Sequence, residues 1–139
     1  MAQENPFIMS HVSIGTNDFD RAIDFYDKVF ATIGARRTME LIEFGAVAYG
    51  RKFPEFWVCR PVDGADAEKA NGTHFAFVAP SREAVHHFFD AAVAAGAQAD
   101  GEPGVRPHYG AGYYGCFVRD LDGHKIEAMY WDETAGGGA

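Results

Sequence analysis

The chain has 139 residues, 47% of them hydrophobic, and a formal net charge of −8. That is the size of one domain, with enough apolar residues for a real core. The negative balance excludes the basic face a nucleic acid demands and argues against an anionic membrane surface. No apolar run approaches about eighteen residues, so no transmembrane helix is expected. The opening MAQENPFIMS lacks a basic head and an apolar stretch, which predicts no secretory leader and a cytoplasmic location. Cys59 and Cys116 form no CxxC pair and read as reduced, buried thiols.

Residues 7–15 alternate loosely and predict a strand. Asp18 then caps a helix to about Ile33, with Phe19, Ala22, Ile23, Tyr26, Phe30 and Ile33 on one face and Gly34 as the stop. Three strands follow over 36–60: RRTMELI, AVAYG and EFWVCRP. The polar stretch 62–71 reads as a linker. The pattern then restarts with a strand at 73–79. Ser81 caps a second helix to about Ala95, and Gly96 ends it. Strands near 98–102, 113–119 and 124–131 complete the chain, the last two joined by the turn Asp120-Leu121-Asp122-Gly123. The tail, about 134–139, is expected to be disordered.

The order is β-α-β-β-β, twice, and the two copies share residues. HVSIGTNDFDRAIDFYD (11–27) and HFAFVAPSREAVHHFFD (74–90) align at a constant offset, 74 − 11 = 63. His11 meets His74, Phe25 meets Phe88, and Asp27 meets Asp90. Such a period implies two copies of one supersecondary unit. Neither unit can bury its sheet alone. The expected fold is therefore α+β: two tandem βαβββ modules, about 7–61 and 72–131, forming a curled mixed sheet around a cavity with helices outside.

Alternation places His11 with Met9 and Ser13, His74 with Ala76, and Glu127 with Lys125 and Met129. In each strand the bulky apolar set takes the opposite face. An unpaired carboxylate in an apolar strand costs several kcal/mol, so Glu127 calls for a cation or a hydrogen-bonded neutral state. His11, His74 and Glu127 are a plausible set for a divalent metal. A fourth ligand could come from PEFWVCRP, where Glu55, Trp57 and Cys59 share a face: oxygen from Glu55 or sulfur from Cys59, with Glu55 preferred. His86 and His87 read as surface residues, and His124 as exposed beyond the hairpin glycine. GVRPHYGAGYYG gathers Arg106, His108, Tyr109, Tyr113 and Tyr114 among glycines. It reads equally as a mobile ligand-stacking wall or as a structural connection.

HVSIGTNDFDRAIDFYDKVF, GTHFAF and FVRDLDGHKIEAMYW together resemble the glyoxalase/bleomycin-resistance/extradiol-dioxygenase group, the vicinal oxygen chelate superfamily. The resemblance runs from about residue 9 to 131. It implies paired βαβββ modules and a homodimer. It also implies a divalent ion (Zn, Ni, Mn or Fe) at a site where His11, His74 and Glu127 fall on the first, third and fourth ligand positions. The second position falls near Glu55, with Trp57 the other candidate for it. Gly15 stands where glutathione-using members carry a basic residue, which weakens the case for glutathione.

Two readings follow. One is a glyoxalase-like metal-dependent lyase or isomerase that chelates two neighbouring substrate oxygens and stabilises an enediolate, with Glu127 or Glu55 as general base. A non-haem iron dioxygenase is its variant. The other is a bleomycin-resistance-type binding protein, in which Trp57, Tyr109, Tyr113 and Tyr114 stack on a flat small molecule and no catalysis occurs.

Overall fold

The repeat written in the sequence is the repeat of the fold. A computed structural model describes residues 4–135 of the chain. In the first module β1 (Val12–Gly15) leads into α1 (Phe19–Ala31), then β2 (Arg36–Leu41), β3 (Ala46–Gly50) and β4 (Phe56–Cys59). The second runs β5 (His74–Val78), α2 (Arg82–Ala94), β6 (Gln98–Val105), β7 (Tyr113–Arg119) and β8 (Lys125–Trp131). The two four-stranded sheets have matching orders, β1-β4-β3-β2 and β5-β8-β7-β6. In each, the first strand runs parallel to the last, and the remaining pairs are antiparallel. The first strand is shorter than the alternation predicts, since pairing begins only at Val12.

Both helices start where expected. The Asp18 side chain accepts from the Arg21 N–H and that of Ser81 from the Ala84 N–H, caps worth about 1 kcal/mol each. Gly34 and Gly96 end the helical runs at φ of 75° and 110°, values L side chains rarely adopt. Each helix buries an apolar stripe: Phe19, Ala22, Ile23, Tyr26 and Phe30 on α1, and Val85, Phe88 and Ala92 on α2.

The modules share one core. α1 touches α2, and Phe77 of β5 meets both Phe30 and Phe56 edge-on, at ring-centroid distances of 4.8 and 5.0 Å. Polar bonds cross the same seam. The Tyr26 hydroxyl donates to Asp120 Oδ2 at 2.6 Å. His124 Nε2 donates to the Gly15 carbonyl at 2.7 Å. Arg51 donates to the carbonyls of Ile33 and Val78. His124 is thus buried rather than exposed, because its ring spans from the β8 entrance to the end of β1. Asp120 anchors the turn as well, its Oδ1 accepting the N–H groups of Asp122 and His124.

Covering one face of each sheet leaves the other open. Ile14, Val47, Tyr49, Phe56 and Val58 carry the core of the first module. Ser13, Trp57 and Cys59 therefore lie on the uncovered side, while His11 precedes the paired strand. In the second module, by the same alternation, Ile126 and Val118 face α2 while His74, Ala76, Glu127, Met129 and Phe117 take the uncovered side. The tail departs from expectation at its start: residues 133–135 form a turn of 3-10 helix, with Thr134 bonded to Asp132. Residues 136–139 lie outside the described residues.

Candidate functional site

Glu127 is the buried charge of the uncovered side, 6% exposed in the middle of β8. Register aligns it with Ala76 of β5 and Phe117 of β7. Two partners meet the desolvation cost. His74 Nε2 donates to Oε1 at 3.1 Å, and the Tyr113 hydroxyl donates to Oε2 at 2.5 Å. Burial and the adjacent carboxylate push the Tyr113 hydroxyl well above the ordinary tyrosine range, so it remains a donor. Tyr113 can stand this close because Gly115 lies beneath it; a Cβ there would overlap the phenolic oxygen. Glu127 is thereby held as an oriented carboxylate with His74 half-exposed beside it.

The wall around this group is aromatic. Tyr109 packs edge-on to Tyr113 at 5.0 Å, and His108 lies 4.2 Å from Tyr109. Trp131 meets Tyr113 at 6.4 Å, and its Nε1 is the one buried side-chain N or O atom among the described residues without a partner. Sequence reasoning did not mark Trp131, although its place four residues after Glu127 on an alternating strand puts it on the same side.

Arg106 and Tyr114 stand differently from the binding roles expected of them. The Arg106 guanidinium donates to the carbonyls of Glu102, Gly104 and Gly115 and lies over Phe117, so it braces the irregular β6–β7 pairing. Tyr114 projects to the helix side, sharing a 2.6 Å hydrogen bond with His86 and lying under Arg82. Adjacent strand residues point to opposite faces, so Tyr113 and Tyr114 cannot both reach Glu127. His86 is exposed, as expected, and its partner there is the Tyr114 hydroxyl.

The first module supplies His11, exposed and bonded through Nδ1 to the Ser10 hydroxyl at 2.9 Å. His11 and His74 both line a cavity of about 420 Å³ at the seam, together with Glu55, Phe56, Phe75 and Phe77. His74 reaches Glu127, but His11 does not join them in one cluster. Among the described residues no three His, Cys, Asp or Glu side chains of one chain come together to hold an ion.

Register resolves what stands opposite Glu127 in the repeat. Ser13 pairs with Trp57, and Ala76 pairs with Glu127. Ser13 and Ala76 are equivalent at the offset of 63, so Trp57 is the counterpart of Glu127. Glu55 lies one face-step earlier and corresponds to Lys125. Cys59 lies one step later, opposite Gly15, and burial pushes its thiol up from the ordinary range, which disfavours a thiolate there.

Two donors of the second half, His74 and Glu127, have a spacing that would also suit one divalent ion, and among the described residues no third donor joins them. Two donors held about 2.1 Å from one ion at right angles lie about 3.0 Å apart. His74 Nε2 and Glu127 Oε1 are separated by 3.1 Å.

The family model for the Glyoxalase/Bleomycin resistance protein/Dioxygenase superfamily matches residues 8–128. The chain belongs to this superfamily. Among solved structures it is similar to a glyoxalase/bleomycin resistance protein from Albidiferax ferrireducens T118, at 30% identity and a TM-score of 0.79, over 91% of this chain and 100% of that one. A lactoylglutathione lyase from Agrobacterium tumefaciens has the same fold at 22% identity and a TM-score of 0.61, over 92% and 96% of the two chains. So does TioX from Micromonospora sp. ML1, at 22% identity and a TM-score of 0.61, over 88% and 94%. The curated proteins contain no match. Membership accounts for the paired modules. No helix among the described residues is long and apolar enough to cross a membrane.

Proposed function

We propose that this superfamily member is a glyoxalase-like lyase or isomerase acting on a small oxygen-rich molecule, with Glu127 as the proton acceptor. The observation that carries the reading is Glu127 itself: a nearly buried carboxylate on an uncovered sheet face, fixed by Tyr113 and flanked by a half-exposed histidine. A purely structural strand would gain from an apolar residue here.

His74 and Glu127 would hold a divalent ion, and His11 would add a third donor from the matching half. When bound, such an ion polarises a carbonyl and acidifies the neighbouring C–H. The chain's own residues then divide the work. Glu127 would take the proton at Oε1 once that oxygen was released from the ion, while the Tyr113 hydroxyl keeps Oε2 engaged and the carboxylate in one orientation. Tyr109, Tyr113 and Trp131 form an aromatic wall beside it. A homodimer that brings the first-module face of one copy to the second-module face of another would unite His11 with the His74–Glu127 pair.

The deciding experiment uses tag-free protein purified without chelator. Bound divalent metal is quantified, and isomerisation of a hemithioacetal is followed for the native chain and for Glu127→Gln. The reading predicts stoichiometric metal per site and turnover that Glu127→Gln abolishes. Turnover unchanged by Glu127→Gln would overturn it. So would a chain without metal that tightly binds flat aromatic molecules, which would favour the sequestration reading. That second reading draws its support from the half-exposed indole of Trp57 on the other uncovered face.

A further inference from the structure

Where the start of α1, the end of α2, the linker and the β7–β8 hairpin meet, the surface folds into an open cleft of about 600 Å³. It shares no residue with the seam cavity or with the group around Glu127. Arg21, Lys69, Gln98 and Arg119 line it over a floor that includes Gly96 and Gly123. The chain has 20 acidic and 12 basic residues, so three cations around one hollow reverse the overall charge balance locally. We propose that this cleft binds the phosphoryl group of a small polar molecule, as the free anion or as an ester.

The fold holds the cations in place. Asn17 clamps the linker: its Oδ1 accepts the Ala67 N–H at 2.7 Å, and its Nδ2 donates to the Ala67 carbonyl at 3.2 Å. Two residues on, the Lys69 stem lies against Gly123, where an added Cβ would meet Lys69 Cδ at 3.2 Å. Arg21, at the start of α1, reaches toward Gly96, where an added Cβ would lie 3.8 Å from its Nη2. Arg119 is fixed on β7, with Nε donating to Asp100 Oδ2 at 3.1 Å and Nη1 to the Gly123 carbonyl at 3.3 Å.

The negative groups of the cleft are already engaged. Asp100 is shared between Arg119 and Lys125. Both oxygens of Asp120 are taken, by the Tyr26 hydroxyl and by the N–H groups of Asp122 and His124. The neighbouring Asp122 accepts the Asn17 N–H. The end of α2 does not claim Arg21, because its carbonyls at Ala91, Ala92 and Val93 accept the N–H groups of Ala95, Ala97 and Gly96. Among the described residues, no ion pair includes Arg21 or Lys69.

The donors come from four separate segments. A phosphoryl group meets them with three terminal oxygens and up to two negative charges, where a carboxylate offers two coplanar oxygens and one charge. Leu121 is the only large apolar side chain lining the cleft among the described residues, so no aromatic face is present to stack on a ring. Arg21 belongs to the first module, Lys69 to the linker, and Gln98 and Arg119 to the second module. A bound phosphoryl group therefore ties these parts together only in the folded chain, and it must stabilise that chain.

The test uses full-length, tag-free protein at low ionic strength, where exposed cations are least screened. Inorganic phosphate and glycerol phosphate are titrated, with binding read from phosphorus NMR line widths and from the thermal midpoint. Acetate at matched ionic strength is the carboxylate control. At least one of the two phosphates should bind saturably and raise the midpoint, and acetate should not. Tighter binding of glycerol phosphate assigns the cleft to an ester, and tighter binding of inorganic phosphate assigns it to the free anion. Arg21→Gln and Lys69→Gln should each weaken binding, and the double variant should weaken it by about tenfold or more. Both side chains are exposed, so all three variants should keep the native circular dichroism spectrum, and the single variants decide the matter if the double variant does not fold. Arg36→Gln, which removes an exposed cation of β2, should leave binding unchanged.

Native protein without saturable phosphate binding overturns the proposal. Binding that survives undiminished in the Arg21 and Lys69 variants overturns it by placing the anion elsewhere. Equal weakening by Arg36→Gln overturns it by reducing the effect to overall charge, and an equal midpoint rise with acetate overturns the phosphoryl assignment. None of these outcomes bears on Glu127, which lies outside the cleft.

Discussion

The hydroxyl of Tyr26, on the first helix, donates to Asp120 Oδ2, at the hairpin of the second module, across 2.6 Å of buried space. Ninety-four positions of sequence separate the two residues, and the bond ties the modules where their helices meet. Tyr26→Phe would leave the Asp120 oxygen buried with one acceptor site unfilled. The expected cost is about 1–3 kcal/mol, read as a lower midpoint in urea unfolding with an unchanged slope. A loss within about 0.5 kcal/mol would show that water replaces the hydroxyl.

Alkaline pH should probe the buried tyrosines, Tyr26 at this seam and Tyr49 within the first module. Burial first, and then the neighbouring carboxylates, raise the hydroxyls of Tyr26 and Tyr49 well above the ordinary tyrosine value of about 10. A group whose folded pKa is raised contributes stability in full below its unfolded pKa, and that contribution fades as pH climbs toward the folded value. Stability should therefore fall above about pH 10, where the unfolded chain begins to release these protons and the folded chain does not. Absorbance at the tyrosinate band should show Tyr26 and Tyr49 titrating together with loss of helical circular dichroism. Smooth titration of all six tyrosines with the fold intact would contradict their burial.

Helix caps, strand alternation and the offset of 63 were legible because each is a local or periodic signal. Asp18, Ser81, Gly34 and Gly96 mark their helix ends by backbone chemistry that needs no tertiary information. The faces of His74 and Glu127 follow from a period of two, once their strands are recognised. What stayed out of reach depended on register between strands. Whether Glu55 or Trp57 mirrors Glu127 turns on which residue of β1 each one pairs with, and no single segment encodes that. The roles of Arg106 and His124 were hidden for a related reason. Each bonds backbone carbonyls, of Gly115 and of Gly15, whose positions exist only in the folded chain.

The His74–Glu127 pair separates binding from folding. His74 is half-exposed and makes one hydrogen bond to a carboxylate that keeps Tyr113 as a second partner. His74→Ala should therefore leave the circular dichroism spectrum and the unfolding midpoint close to native, and abolish stoichiometric divalent metal. Metal analysis of the purified variant checks this. Undiminished metal uptake would remove His74 from the site.

Gly115→Ala tests whether Tyr113 sets the orientation of Glu127. The added Cβ would collide with the Tyr113 ring and hydroxyl and approach the Ala128 carbonyl at 2.9 Å. The carbonyl is fixed in the β7–β8 ladder, so the tyrosine must yield. Overpacking of this kind costs about 1–3 kcal/mol. Displacing Tyr113 also strips Glu127 of its shorter hydrogen bond. The comparison variant is Tyr113→Phe, which removes the same bond without the steric push. If Tyr113 acts by holding the carboxylate, both variants should shift the pH dependence of metal binding in the same direction, while Gly115→Ala alone lowers the thermal midpoint markedly. Native pH dependence in Tyr113→Phe would show that Glu127 is oriented without the tyrosine.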